Sequence, residues 1–295
     1  MKKMIARWML ALTVVLSMSA FFVARAFSIN LELVVFAVTA VTLLAAIAIE
    51  RWMAFDPNWN SGNGDFKTDA TSTVVLLGVV DPLMKALAPL LVVLVYSNFA
   101  TRDTFTLFPE GSPYIVQLVV ATLLIELGRY WAHRWHHTNR FLWWLHAMHH
   151  SSERLYAVNN FRFHPLNYSV NFALSTFPLM LVGVPADVLF GYMALTQPVL
   201  MLQHANINLR SGWLNFVFST NELHRWHHSS DTKEANSNYG SALVVWDHVF
   251  GTFRLPWTLQ APKRIGLFDQ SAKYPARASY LQQILSAFGP TCCRA

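Results

Sequence analysis

Apolar and polar residues follow one another along this chain in long blocks. Nearly unbroken hydrophobic runs cover residues 8–24, 29–49, 83–100, 114–131, 166–183 and 186–203. About 20 helical residues cross a hydrocarbon layer of ~30 Å. Lipid offers no partner to an unpaired peptide group, so helices are the expected spanning form. The pattern predicts a polytopic helical membrane protein. Polar stretches separate the blocks, and residues 50–69, ERWMAFDPNWNSGNGDFKTD, read as a Gly- and Asn-rich loop. Residues 70–82 are largely apolar but end in Asp81-Pro82. A helix usually stops before such a proline, so a surface or re-entrant piece is expected there, with the crossing at 83–100. A tight hairpin around GVPAD joins the last two blocks.

The first block has two readings. MKKMIARWML, an apolar stretch and the small-residue ending Ala24 to Ala26 have the charge, length and close of a signal peptide; a first membrane helix is the plainer reading. Composition agrees with a membrane, since 54% of the 295 residues are hydrophobic and 13% charged, against about 25% charged in soluble domains. The net charge of +6 is spread over loops beside apolar segments. That argues against nucleic acid as a partner and for the positive-inside bias. With the N-terminus inside, residues 132–165 hold Arg134, Arg140, Arg154 and Arg162 against Glu153. Residues 204–295 carry nine Lys/Arg against five acids, whereas the outer loop 101–113 nearly balances Arg102 against Asp103 and Glu110. All twelve histidines then fall on the cytoplasmic side. The two cysteines, Cys292 and Cys293, are neighbours, which makes a poor structural bridge and no metal-binding CxxC pair.

Nine of the twelve histidines crowd into three windows, WAHRWHH, LHAMHHSS and NELHRWHHSS. Helix positions i, i+3 and i+4 share a face, with Cβ atoms ~5–6 Å apart. His146, His149 and His150 are therefore expected to aim at one point, as are His224, His227 and His228. His133 pairs with His137, and His136 ranks below them. Neutral imidazole suits iron, zinc and copper, whereas clustered uncompensated imidazolium would repel itself. A structural zinc takes four ligands and a catalytic zinc usually three plus water; eight well-spaced histidines exceed both, and two metals account for the number. HExxH is absent. Glu126, seven residues before His133, is either the hydrogen-bond acceptor of a ligand's second nitrogen or an ordinary interface acid. His248 reads as an ordinary hydrogen-bonded histidine.

The strings ELGRYWAHRWHH, LWWLHAMHHSS, FRFHPLNY, QHANINL and NELHRWHHSS…NSNYGSALVVWDHVFGTF resemble, in order, spacing and flanking words, the fatty acid hydroxylase/sterol desaturase superfamily. The resemblance covers about residues 120–255, and residues 1–110 carry no such signature. The family's boxes HxxxH, HxxHH and HxxHH match His133/His137, His146/His149/His150 and His224/His227/His228. Members also place a histidine after the last membrane hairpin, matched by His204; some have another four residues later, where this chain has Asn208. The family often has Asp where Glu126 stands, and His164 recurs in bacterial-type relatives as a ligand or near-site residue. The implied fold is all-α, a polytopic helical membrane protein with a cytoplasmic helical histidine-rich metal-binding cap. N-terminal membrane helices and loops would occupy 1–110, the catalytic domain 111–260 and a tail 261–295. The implied centre holds two iron ions on His133, His137, His146, His149, His150, His204, His224, His227 and His228.

Such enzymes use O2 to hydroxylate or desaturate an unactivated C–H bond of a membrane lipid; a bacterial inner membrane is expected. The chain has no Rossmann glycine fingerprint or cysteine set for an iron–sulfur cluster, so electrons must come from a separate ferredoxin or cytochrome b5 type protein. Candidate cleft walls are Trp143, Trp144, Phe161, Phe163 and Phe172, which read equally as interface anchors. Arg134 and Arg225 follow box histidines and would meet a lipid phosphate, an acidic donor surface or only solvent. Two rival classes remain. A membrane zinc-dependent hydrolase would use the same imidazoles, and a metal transporter would put its ligands inside the spans, whereas here they follow them.

Overall fold

In the computed structural model, residues 1–62, 64–99, 107–256, 262–271, 273–289 and 292–293 are described. Among the described residues six helices carry the apolar blocks, and α5 lies between two of them: α1 (Lys2–Ala26), α2 (Leu31–Trp52), α3 (Phe66–Asn98), α4 (Tyr114–Thr138), α5 (Arg140–His150), α6 (Pro165–Leu181) and α7 (Ala186–Gln203). Four short helices follow: α8 (Asn221–His227), α9 (Thr232–Ala235), α10 (Val245–Phe250) and α11 (Tyr280–Ser286). Isolated β-bridges are the only strand pairing among the described residues. The chain is all-α. Among those residues α1 to α4 are long and apolar enough to cross a membrane. Helices α6 and α7, 17 and 18 residues long, make the expected hairpin.

Polar contacts at the helix ends define two faces. Lys2 Nζ donates to the Trp52 carbonyl at 3.1 Å, which puts the start of α1 beside the end of α2. At the other face Arg25 pairs with Asp187 at 2.9 Å, and the Tyr114 hydroxyl donates to the Asp187 carbonyl at 3.0 Å. Helix α4 starts on that second face and ends on the first. Its 25 residues, at ~1.5 Å each, exceed a ~30 Å hydrocarbon layer, so His133 and His137 on its last turns can stand beyond the apolar zone. Helix α7 is the interior element, with Val188, Ala194, Val199 and Leu202 at most 1% exposed, and it packs against α1, α2 and α4. Helices α4 and α6 touch backbone to backbone at Gly128, where a Cβ would lie 2.1 Å from the Leu174 carbonyl oxygen.

Three expectations are corrected. Residues 70–82 form no separate piece: they continue into 83–98 through a π-helical turn at Leu76–Val80. A proline removes one N–H and its ring collides with the preceding turn, and a wider turn is one way a helix absorbs that misfit. Helix α4 runs past residue 131 to Thr138, so the first histidine box lies on the spanning helix itself. Cys292 and Cys293 are bonded to each other, in a link that ties no two elements together. The charges Arg102, Asp103 and Arg294 lie outside the described residues.

Buried ion pairs fasten the N-terminal region to the loop after α5. Arg162 meets Asp69 at 2.7 Å, with both side chains at most 2% exposed, and Arg154 meets Asp65 at 2.7 Å. Tyr156 donates its hydroxyl to Asp69. Glu50 Oε2 accepts the N–H groups of Ala157 (2.9 Å) and Asn206 (3.1 Å). The tail returns to the same region, where Ser286 accepts from the Trp144 indole at 2.9 Å.

The α4–α6 contact predicts a sharp size limit. Gly128→Val should lower the thermal midpoint in detergent, with overpacking costing at least about 1–3 kcal/mol. Gly78→Ala, where a new Cβ meets nothing within 4 Å, should leave the midpoint unchanged.

Candidate metal centre

The nine box and hairpin histidines converge in two groups. His133, His137, His146, His150 and His227 form one; His149, His204, His224 and His228 form the other. Within each group the candidate ligand nitrogens lie within 4.8 Å of one another. The boxes do not each serve one point, as expected from their spacing, but divide. On α5, His146 and His150 are four residues apart and join the first group, while His149, about 100° from His150 around the helix, joins the second. At α8 the assignment reverses, since His224 and His228 enter the second group and His227 the first. The groups adjoin, with the His150 and His228 rings stacked at 4.3 Å.

Tautomers test whether a cation fits. His133 Nδ1 lies 2.8 Å from the Tyr239 carbonyl and His227 Nδ1 2.9 Å from that of Ser237. A carbonyl only accepts, so Nδ1 carries the proton and Nε2 of a neutral ring is a bare lone pair. His204 Nδ1 lies 2.8 Å from Asn159 Oδ1, an orientation fixed because Asn159 Nδ2 donates to the Arg154 carbonyl. His146 Nδ1 lies 2.8 Å from Asn167 Oδ1, and His137 Nδ1 3.3 Å from Asn236 Oδ1. His133 Nε2 and His146 Nε2 then face each other at 3.1 Å as two lone pairs. His204 and His224 face at 2.9 Å, and His228 Nε2 lies 3.1 Å from both His149 Nε2 and His224 Nε2. Ligand nitrogens ~2.1 Å from one cation and at right angles would sit ~3.0 Å apart. The donor set fits two metal ions.

Burial keeps these rings neutral. It pushes His146, His149, His150, His224 and His228 well below the usual imidazole value, and neighbouring imidazoles add to the effect. His227 is pushed down to about 4 and His204 to about 3, burial being the main cause in each. Neutral nitrogens are what a cation needs.

Several groups that orient the rings are absent from the sequence-level site. Asn159, Asn167, Asn236 and the carbonyls of Ser237 and Tyr239 each hold an Nδ1–H. Their signal was the expectation that a ligating histidine gives its second nitrogen to an oxygen, but sequence alone does not say which oxygen. Glu126 is not one of them. Fully buried, it accepts the Tyr192 hydroxyl at 2.7 Å and the N–H groups of Ala242 (2.9 Å) and Leu243 (2.8 Å). Asp247 completes the clamp by accepting the N–H groups of Tyr239 and Gly240, both at 2.7 Å. Together the two acids hold the segment whose Tyr239 carbonyl orients His133.

The remaining candidates fall outside the two groups. His136 gives Nδ1 to the Ala132 carbonyl at 2.6 Å, and His164 caps α6 by accepting the Leu166 N–H at 3.1 Å. His248 bonds the Phe216 carbonyl at 3.1 Å, and Asn208 donates its N–H to Met53 at 3.3 Å. Phe163 stacks on His149 at 4.2 Å, and Trp143 lies 5.1 Å from His137 while stacking on Phe268. Trp144 belongs to the core with Tyr274, the Phe161 carbonyl accepts from Ser72, and Phe172 faces Phe177 along α6. Arg134 donates to the Tyr130 hydroxyl at 3.1 Å; Arg225 is buried over the Phe55 ring at 3.5 Å and faces neither solvent nor membrane.

The depressed histidines fix the sign of a pH effect. Unfolded imidazoles take up protons near 6.5 while the folded ones resist, so the metal-free protein should be at its plateau above about pH 6.5. Its stability should fall toward pH 4, by up to ~1.4 kcal/mol per pH unit for each imidazole involved. Thermal midpoints across that range check this, and a flat profile contradicts it.

A family model described as fatty acid hydroxylase matches residues 118–252. The chain is 35% identical over 241 residues to the ornithine lipid hydroxylase OlsE of Rhizobium tropici, a match covering 78% of this chain and 70% of that protein. It is 29% identical over 138 residues to an alkylglycerol monooxygenase of Danio rerio and over 133 residues to one of Homo sapiens. Those matches take in 45% of this chain and only 30% and 29% of theirs. No solved structure matches. Ordered histidine boxes, their convergence and these similarities agree: the chain belongs to the fatty acid hydroxylase family.

Proposed function

We propose that this protein is a multi-pass membrane di-iron oxygenase that hydroxylates a C–H bond of a polar membrane lipid. The observation that carries the reading is the convergence of nine neutral imidazoles as a five-histidine and a four-histidine group. His133, His137, His146, His150 and His227 would hold one iron, and His149, His204, His224 and His228 the other. Bound there, the irons supply the redox capacity that O2 needs to attack an unactivated C–H bond. In the balance, one oxygen atom enters the lipid and the other leaves as water, with two electrons and two protons consumed. A separate ferredoxin or cytochrome b5 type protein supplies the electrons.

This chain's own residues prepare the place. Asn159, Asn167, Asn236 and the Ser237 and Tyr239 carbonyls fix the tautomer of each partner, so that Nε2 points inward. Phe163 and Trp143 wall the cluster and exclude water. Lipid enters from the membrane beside the last turns of α4 while its tail stays among apolar helices. Residues 111–260 form the catalytic unit, 1–110 brace it through Glu50, Asp65 and Asp69, and 261–295 cover it through Phe268 and α11. The face bearing the histidines also carries Lys2, Arg51, Arg134 and Arg140, which favours the cytoplasmic side. The names of the relatives favour hydroxylation over desaturation, and an ornithine lipid is the first substrate to test.

Three measurements test the assignment. Purified protein should hold about two irons per chain and give an O2-dependent lipid product heavier by one oxygen. Zinc with O2-independent hydrolysis would replace this reading by the hydrolase, whereas zinc with O2-dependent turnover would mark metal replacement during expression. His149→Ala and His227→Ala each remove a nitrogen from a different group, and both should lose more than 100-fold in turnover while inserting normally; full activity in either contradicts the reading. Asn159→Leu should weaken metal retention by the four-histidine group about 10–100-fold and spare the five-histidine group, read by chelator competition.

A further inference from the structure

The histidine-bearing face holds a second feature that the oxidation chemistry does not use. Between the first turns of α1 and the segment after His204 lies a cavity of about 400 Å3. Lys3 and Arg7 line it from α1, and Arg210, Ser211 and Trp213 from the opposite wall, with no acid among its lining residues. All three cations are exposed. None has an ion-pair partner among the described residues. Ser211 is only 5% exposed, yet its hydroxyl has no hydrogen-bond partner. Three unpaired cations around one cavity call for an oxygen-rich anion.

Position selects the source of that anion. The cavity lies at the end of a membrane-length helix, where Trp8 and Trp213 are 50% and 71% exposed. Indoles of this kind favour the headgroup level of a bilayer. We propose that the cavity seats the phosphate headgroup of an anionic phospholipid from the leaflet on the histidine-bearing side. The seat is wired to the metal-binding helix. The Arg210 N–H donates to the Ala6 carbonyl at 2.7 Å, and the Ser211 N–H donates to Glu222 Oε2 at 2.7 Å. Glu222 lies in the first turn of α8, two residues before His224. A bound phosphate therefore braces the loop joining His204 to His224. The inference does not depend on which reaction the histidines support.

The test uses the full chain in detergent, titrated with phosphatidylglycerol, phosphatidylcholine or inorganic phosphate. Thermal midpoint and lipid retained in native mass spectrometry are the readouts. Phosphatidylglycerol should be retained and raise the midpoint, and phosphatidylcholine should do neither. Lys3→Gln, Arg7→Gln and Arg210→Gln should each weaken phosphatidylglycerol binding about fivefold, and the triple variant about 100-fold. Arg7→Lys should bind within about twofold of the parent, which separates lost charge from lost folding. Equal binding of phosphatidylcholine, or unchanged phosphatidylglycerol binding in the triple variant, overturns the proposal. Equal protection by inorganic phosphate alone shows a free-anion site and overturns the lipid assignment.

Discussion

Everything about this protein's chemistry depends on holding bare imidazole lone pairs against one another in a dry interior. Two such lone pairs at 3.1 Å, as at His133 and His146, repel unless a cation lies between them. Protonation of His146 offers no escape, because burial and neighbouring rings penalise its imidazolium form. Folding therefore assembles a site that is poor on its own and that a metal would complete, which would couple binding to stability.

The cost of that arrangement is met by buried carboxylates. The sequence makes acids look too scarce to be ligands, and none joins the two histidine groups. Four of them instead clamp backbone that no helix or sheet satisfies. Glu50 holds the N–H groups of Ala157 and Asn206, Glu126 those of Ala242 and Leu243, Asp247 those of Tyr239 and Gly240, and Glu222 that of Ser211. A carboxylate accepting backbone N–H groups is among the stronger hydrogen-bonding arrangements. These clamps shape the loops that carry Asn159, Ser237 and Tyr239, and those in turn fix the rings.

The membrane helices set the geometry to which the clamps are attached. Helix α4 is long enough to cross and still present two imidazoles beyond the apolar layer, and Gly128 lets it approach α6 closely. Asp69 in the first turn of α3, and Asp65 just before that helix, lie in reach of Arg162 and Arg154. Residues with no family signature thus hold the signature-bearing loop in place.

The sequence by itself determined the membrane class, the positions of most helices, all nine converging histidines and the family. Those are properties of local spacing: a run long enough for a bilayer, or an i, i+4 pair on one stripe. Only the tertiary structure decided how the imidazoles divide, since His149 and His227 leave their own boxes according to which neighbouring helix they face. It also decided that Glu126 clamps backbone rather than orienting a ligand, that Arg225 is buried over Phe55, and that residues 70–82 continue a helix. Each of these turns on a partner distant in sequence, with Glu126 reaching across 116 residues to the Ala242 N–H, and no local pattern encodes such a meeting.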